Sequence, residues 1–248
     1  MIRQNTLIRN KVYISEIFTS LEGEGILFGT KTMFVRFAGC HLKCYWCDTV
    51  YALSMDDGKR YSLEEVKELI RKNLAQNTYK INFTGGEPLL QHYAIIELSK
   101  FIKKERSEIM TYIESSCFDY NRFNEIMPYI DICKIEFKTK DSYAVDEKHY
   151  DKLFANEIKC LKLAIENNKV AYIKIVVSNS TSLDDFKKLI DRIFCEIKKK
   201  DLAGFIIQPT SNINEPTVDR LIGFYDLVYP LYKEVRVIPQ LHKIIGAR

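Results

Sequence analysis

Strand-like and helix-like segments alternate along most of the chain, and this alternation leaves few folds open. Met33-Phe34-Val35-Arg36-Phe37 is a compact apolar run ending at Gly39. Ser62-Leu63-Glu64-Glu65 reads as a capping box, and Leu63, Val66, Ile70 and Leu74 follow at helical spacing. Lys80–Phe83 reads as a strand stopped by Gly85-Gly86, Leu90–Phe101 as a helix and Ile109–Ile113 as a strand. Asn121–Met127 is a short helix before Pro128, Asp131–Phe137 a strand, and Glu147–Asn167 a helix. Val170–Val177 is rich in β-branched residues. Ser182 caps a helix whose Phe186, Leu189, Ile190, Ile193, Phe194 and Ile197 form an apolar stripe. Gly204–Gln208 is a strand, Pro216 sits near the start of a last helix, and Val235–Ile238 reads as a final strand. About six such units predict α/β architecture, with helices outside a mainly parallel sheet. No linker, composition break or internal repeat interrupts the pattern. The expectation is one domain over residues 1–248, an open or partial barrel.

Ligands in such folds gather at the C-terminal ends of the strands. The unusual residues fall there: Gly39-Cys40, Thr84-Gly85-Gly86-Glu87, Glu114-Ser115-Ser116, Lys138 and Gln208-Pro209. Composition excludes other classes. Apolar residues make up 46% and charged residues 28%, which argues against disorder. The longest apolar segment, Leu221–Tyr232, is broken by Asp226 and Pro230, far short of the roughly 18 residues of a membrane span. Met1–Thr6 leads into no apolar signal core, so export is not expected. A net charge of +4 is too small to argue for a nucleic-acid partner.

Seven cysteines, an odd number without a signal, make a disulfide framework a poor reading. Cys117, Cys133, Cys160 and Cys195 are scattered and read as buried small hydrophobes. Cys40, Cys44 and Cys47 share one short loop, and thiolates ligate iron–sulfur clusters or zinc. Three thiolates would leave one iron of a [4Fe–4S] cube open, with Tyr45 and Trp46 placed to shield it from water. Zinc held by the three cysteines and His41 is the competing reading.

A Cys-x3-Cys-x2-Cys loop after one strand and Gly-Gly-Glu-Pro after the next resembles the radical S-adenosylmethionine (SAM) superfamily. The resemblance implies a partial (β/α)6 barrel and a [4Fe–4S] cluster on Cys40, Cys44 and Cys47. It also implies SAM bound through its amino and carboxylate groups and cleaved to a 5′-deoxyadenosyl radical. The flanks narrow it. Ser20-Leu21-Glu22-Gly23-Glu24-Gly25, Thr32–Cys40, Trp46-Cys47-Asp48-Thr49 and Arg236–Lys243 together resemble the 7-carboxy-7-deazaguanine synthase family of queuosine and archaeosine biosynthesis. That likeness implies ring contraction of 6-carboxy-5,6,7,8-tetrahydropterin, begun by hydrogen abstraction at C6, with ammonia released.

By the same resemblance Leu21, Glu22, Gly23, Arg36, Thr84, His242 and the terminal carboxylate of Arg248 hold the substrate. Arginine suits the carboxylate through its bidentate fork. Thr49 would be a Mg²⁺ ligand, or else part of a helix cap with Asp48. Gly86, Ser116, Glu136, Phe137, Lys138, Gln208 and Pro209 map to SAM contacts. The likeness further implies a cytoplasmic homodimer reduced by a donor such as flavodoxin or ferredoxin, with no nucleic-acid or membrane partner. Three departures stand out: Glu22 where the family usually has Gln, Glu114-Ser115-Ser116-Cys117 for Glu-Thr-x-Gly, and Glu136-Phe137-Lys138 for Ser-Pro-Lys. A radical SAM activase or peptide modifier is the alternative. Such enzymes often carry further cysteines, whereas none lies between Cys47 and Cys117 and only Cys195 lies beyond Cys160.

Overall fold

The computed structural model describes residues 11–247. Nine strands form one sheet: β1 (Lys11–Leu21), β2 (Lys31–Phe37), β3 (Lys59–Ser62), β4 (Lys80–Gly85), β5 (Met110–Ser115), β6 (Ile132–Phe137), β7 (Val170–Val177), β8 (Phe205–Pro209) and β9 (Val235–Val237). Their order is β3-β1-β2-β4-β5-β6-β7-β8-β9, and the sheet does not close. From β2 to β9 every pairing is parallel, whereas β1 runs antiparallel to both β2 and β3. The helices are α1 (Leu63–Asn73), α2 (His92–Glu105), α3 (Tyr120–Ile126), α4 (Glu147–Glu166), α5 (Leu183–Glu196), α6 (Val218–Val228) and α7 (Leu241–Ile245). The first six connect consecutive parallel strands, which is the expected partial barrel of six strand–helix units. No helix among the described residues is long and apolar enough to cross a membrane.

Caps set the helix boundaries. Ser62 and Glu65 close the expected capping box, and Ser182 accepts from the Asp185 N–H. Residues 88–91 form a 3₁₀ turn instead of the start of a helix, because Glu87 caps Pro88–Gln91 separately from α2. The last long helix starts at Val218, where the Thr217 hydroxyl accepts from Arg220, with Pro216 just before the cap as expected.

Two strands were not legible in the sequence. β1 is an antiparallel strand whose register shifts between Ile14 and Glu16, and that bulge breaks the apolar alternation. β3 is a short polar edge strand with little buried surface.

Strand alternation sorts the side chains onto two faces. Met33, Val35, Ile81, Phe83, Ile113, Cys133, Ile135, Phe137, Ile173, Ile175, Phe205 and Ile207 face the helices and join one apolar core. The intervening positions face the concave side. They are Thr32 and Arg36, Lys80, Asn82 and Thr84, Tyr112 and Glu114, Lys134 and Glu136, Tyr172 and Lys174, and Ile206 and Gln208. Most are polar or charged yet buried, so each strand carries core on one face and site on the other.

Cys117, Cys133 and Cys160 are buried as expected, but Cys195 is exposed. It follows Phe194 at the end of the apolar stripe, and a step of about 100° turns it to solvent.

Candidate active site

A cavity of about 430 Å³ opens at the C-terminal ends of the parallel strands. Its rim carries Cys40, Cys44, Cys47 and Trp46 on one side and the α7 segment, with Gln240 and His242, on another. Its floor is the concave face of the sheet.

The cysteine loop is anchored by backbone contacts. The Gly39 and Cys40 N–H groups donate to Ala52 and Leu53 carbonyls at 2.9 and 2.8 Å, and Tyr45 donates to Ser142 at 2.8 Å. Gly85 has φ +140°, and a Cβ there would run into the Phe37 backbone, so glycine lets the tip of β4 close onto β2 beside the loop. All three thiols are free and partly buried. Burial pushes the Cys40 thiol up to about 11 and raises Cys47 as well, so loading a metal centre here displaces protons. Three soft thiol donors around one cavity, with no other cysteine among the described residues bordering it, fit a cluster with one iron left for an outside ligand. The zinc reading fails on His41, which packs its ring 3.8 Å from Phe118 and does not border the cavity. Among the described residues no three His, Cys, Asp or Glu side chains converge to hold a single metal ion.

The floor is a network of buried charge. Glu24 accepts from Lys174 at 2.6 Å, Gln240 at 2.8 Å and Gln208 at 3.2 Å. Lys134 lies 3.3 Å from Glu114 and 3.5 Å from Glu136, and Lys174 lies 3.3 Å from Glu136. Lys138 also pairs with Glu136. Burial alone would raise these carboxyls, but the lysines win. Lys174 and Lys134 hold Glu24 well below the carboxylate range, and Lys138 and Lys174 do the same for Glu136. Buried ions so matched are strongly destabilising to break singly, which fixes each head group in place.

Comparison with known proteins agrees with this geometry. Residues 21–156 match the model of the 4Fe-4S single cluster domain. The 7-carboxy-7-deazaguanine synthase of Methanocaldococcus jannaschii is 30% identical over 247 residues, covering 94% of this chain and 99% of that one. The chain belongs to the 7-carboxy-7-deazaguanine synthase family. The Clostridium acetobutylicum synthase is 31% identical over 235 residues, covering 94% of this chain and 95% of that one. The crystal structure of QueE from Escherichia coli superposes with a TM-score of 0.63 at 18% identity, over 94% of this chain and 95% of that one, and shows the same fold. As a 7-carboxy-7-deazaguanine synthase family member, the protein is a radical SAM enzyme with an iron–sulfur cluster.

Most of the residues singled out in the sequence meet in this family site. Leu21, Glu22, Gly23, Arg36, Thr49, Thr84, Gly86, Ser116, Glu136, Lys138, Gln208, Pro209 and His242 all border the cavity. Arg248 lies outside the described residues. Phe137 does not border the cavity. Strand alternation turns its ring to the helix side, 5.8 Å from Phe154, so only its backbone is near the site. Tyr45 is also outside the cavity, 58% exposed and edge-on to Tyr143, while Trp46 alone lines it. Thr49 makes no capping bond. Its hydroxyl donates to Asp48 at 2.9 Å and accepts from Arg36 at 3.5 Å. Arg36 also pairs with Glu16 at 3.2 Å. A Cβ at Gly23 would meet the His242 ring, so glycine there lets the two residues approach closely.

Sequence reasoning missed Glu16, Glu24, Asp48 as a partner of Gln240, Lys80, Asn82, Lys134, Lys174 and Gln240 itself. One signal was available for the strand residues. A lysine between apolar neighbours, as in Cys133-Lys134-Ile135 and Ile173-Lys174-Ile175, marks a strand buried on both faces with charge turned to a site.

Proposed function

We propose that this enzyme converts 6-carboxy-5,6,7,8-tetrahydropterin to 7-carboxy-7-deazaguanine and ammonia, with residues 1–248 acting as one radical SAM domain. The observation that carries the reading is the single cavity that brings the three thiols, Arg36 and the charged floor together. Cys40, Cys44 and Cys47 would hold the cluster. When bound, the cluster supplies the electron that splits SAM into methionine and a 5′-deoxyadenosyl radical. Gly86, Ser116, Glu136, Lys138, Gln208, Pro209 and the backbone of Phe137 are the SAM contacts in this reading. Gln208 supports it, since its buried Oε1 has no partner and waits for a ligand donor.

Arg36 receives the substrate carboxylate. Glu16 takes Nε, which orients the guanidinium and leaves further N–H groups for the ligand. Leu21, Glu22, Gly23, Thr84 and His242 enclose the ring system. Thr49, beside Asp48, would give Mg²⁺ an oxygen ligand and leave substrate oxygens to complete the shell. We further infer a cytoplasmic homodimer, an electron donor such as flavodoxin or ferredoxin, and no nucleic-acid or membrane partner.

The test is anaerobic incubation of cluster-loaded protein with SAM, reductant, Mg²⁺ and the carboxypterin. Mass spectrometry should detect 7-carboxy-7-deazaguanine. Formation of 5′-deoxyadenosine with the carboxypterin recovered unchanged would overturn the assignment.

A further inference from the structure

One buried lysine on the concave face, the partner of Glu22, has no place in the chemistry above. Lys80, at the start of β4, is fully buried. Its Nζ donates to Glu22 Oε2 at 2.7 Å, to Thr32 Oγ1 at 2.6 Å and to Thr30 Oγ1 at 3.3 Å, and it lies 5.1 Å from the Tyr112 ring centroid. Three oxygen acceptors match the three N–H groups of an ammonium. Both threonine hydroxyls already donate to backbone carbonyls, Thr32 Oγ1 to Thr30 and Thr30 Oγ1 to Leu27, so each accepts from Lys80. Burial and Glu114 push the Glu22 carboxyl up to about 7, against the pull of Lys80. With its donors spent inside the protein, Lys80 has none left for a ligand.

Glu22 borders the cavity, yet both of its side-chain hydrogen bonds fall on Oε2, from Lys80 and from Asn82 Nδ2 at 3.3 Å. Asn82 gives up its own Oδ1, buried without a partner, to supply that second donor. Oε1 is thus the acceptor Glu22 has left for a ligand. Arg36 sits four residues further along β2 than Thr32, roughly 13 Å at the usual strand rise. The cavity therefore has the Arg36 guanidinium at one end and the open Oε1 of Glu22 at the other.

We infer that Lys80 is a positioning residue that holds Glu22 as an acceptor, and that Glu22 reads N–H donors on the ring edge opposite the substrate carboxylate, selecting a 2-aminopyrimidinone. This rests on the pterin reading above and deepens it. A glutamine in place of Glu22 would present donor as well as acceptor and would need no buried cation. The Glu22–Lys80 pair, 58 residues apart, acts as one unit.

The experiment measures dissociation constants, by anaerobic equilibrium dialysis on cluster-loaded, SAM-bound enzyme. The ligands are 6-carboxytetrahydropterin and its 2-oxo analogue, which lacks the amino group. Wild type should prefer the amino form by about tenfold or more, because a site built to accept N–H bonds rejects a ligand without them. Glu22→Ala should bring the preference close to one by weakening only the amino form. Lys80→Met should do the same without touching either ligand. Glu22→Gln/Lys80→Met, a neutral pair of similar volume, guards against misfolding, and its preference should fall to a few-fold. Equal weakening of both ligands in the single variants would make the pair structural and overturn the inference. So would a wild-type preference retained in Glu22→Ala or in the double variant. Product formation is read separately: wild type that binds with the expected preference but makes no 7-carboxy-7-deazaguanine overturns the ring-contraction reading and leaves this one standing.

Discussion

Glu87 and Ser116 are joined twice: the Glu87 carboxylate accepts the Ser116 N–H at 2.8 Å and the Ser116 hydroxyl at 2.6 Å. Ser115 Oγ and the Leu89 N–H donate to its other oxygen at 2.8 and 3.0 Å. The glutamate of the Gly-Gly-Glu-Pro motif is therefore a clamp between the tips of β4 and β5, and the neighbouring Gly85, Gly86, Ser115 and Ser116 reach the cavity.

Glu87→Ala strands four donors in a buried site. Stability should fall by about 3 kcal/mol in chemical denaturation, given 1–3 kcal/mol for each unmet buried group and some relaxation. SAM affinity should weaken with it, because Gly86 and Ser116 lose their mutual register. SAM binding unchanged in folded Glu87→Ala would separate the clamp from the site.

Alanine at Cys40, Cys44 or Cys47 should abolish cluster loading and SAM cleavage, since each removes one of three thiolate anchors. Alanine at Cys133 should lower stability through a small core cavity, and at exposed Cys195 should change little. Iron analysis decides: iron lost in Cys195→Ala would defeat the assignment.

Arg36 gives its Nε to Glu16, so in the proposed reading the ion pair and the substrate carboxylate would take different edges of one guanidinium. Arg36→Lys keeps the charge but cannot serve both. KM for the carboxypterin should rise on the order of 30-fold or more, for a loss of about 2–4 kcal/mol, with SAM affinity little changed. An unchanged KM would leave Arg36 as a strand-end ion pair only.

Glu157, buried on α4, accepts from the Lys138 N–H at 3.3 Å, and burial raises its carboxyl well above the usual range. In the unfolded chain the group ionises near 4.5, while burial keeps it protonated to higher pH in the fold. The unfolded state thus binds fewer protons, and this contribution to stability is full below about pH 4.5 and is lost as pH rises toward the folded value. Glu157→Gln removes the loss and still accepts from Lys138. Its stability relative to wild type should climb by up to about 1.4 kcal/mol per pH unit over that window. Parallel stability profiles for the two proteins would show that Glu157 is ionised in the fold.

Local sequence determined the α/β alternation, the helix caps at Ser62 and Ser182, the thiol loop and the glycine stop after β4. Each depends on near neighbours: a capping side chain meets an N–H three residues on, and a loop of eight residues brings its three thiols to one place. Register decided the rest. β1 was hidden by its bulge, and the Phe137 ring turns away from the cavity because a period of two puts adjacent residues on opposite faces. Glu24 finds Lys174 across 150 residues and Gln240 across 216. No local pattern encodes those meetings. They follow from the order in which parallel strands stack and from the burial that makes each isolated charge costly until its partner arrives.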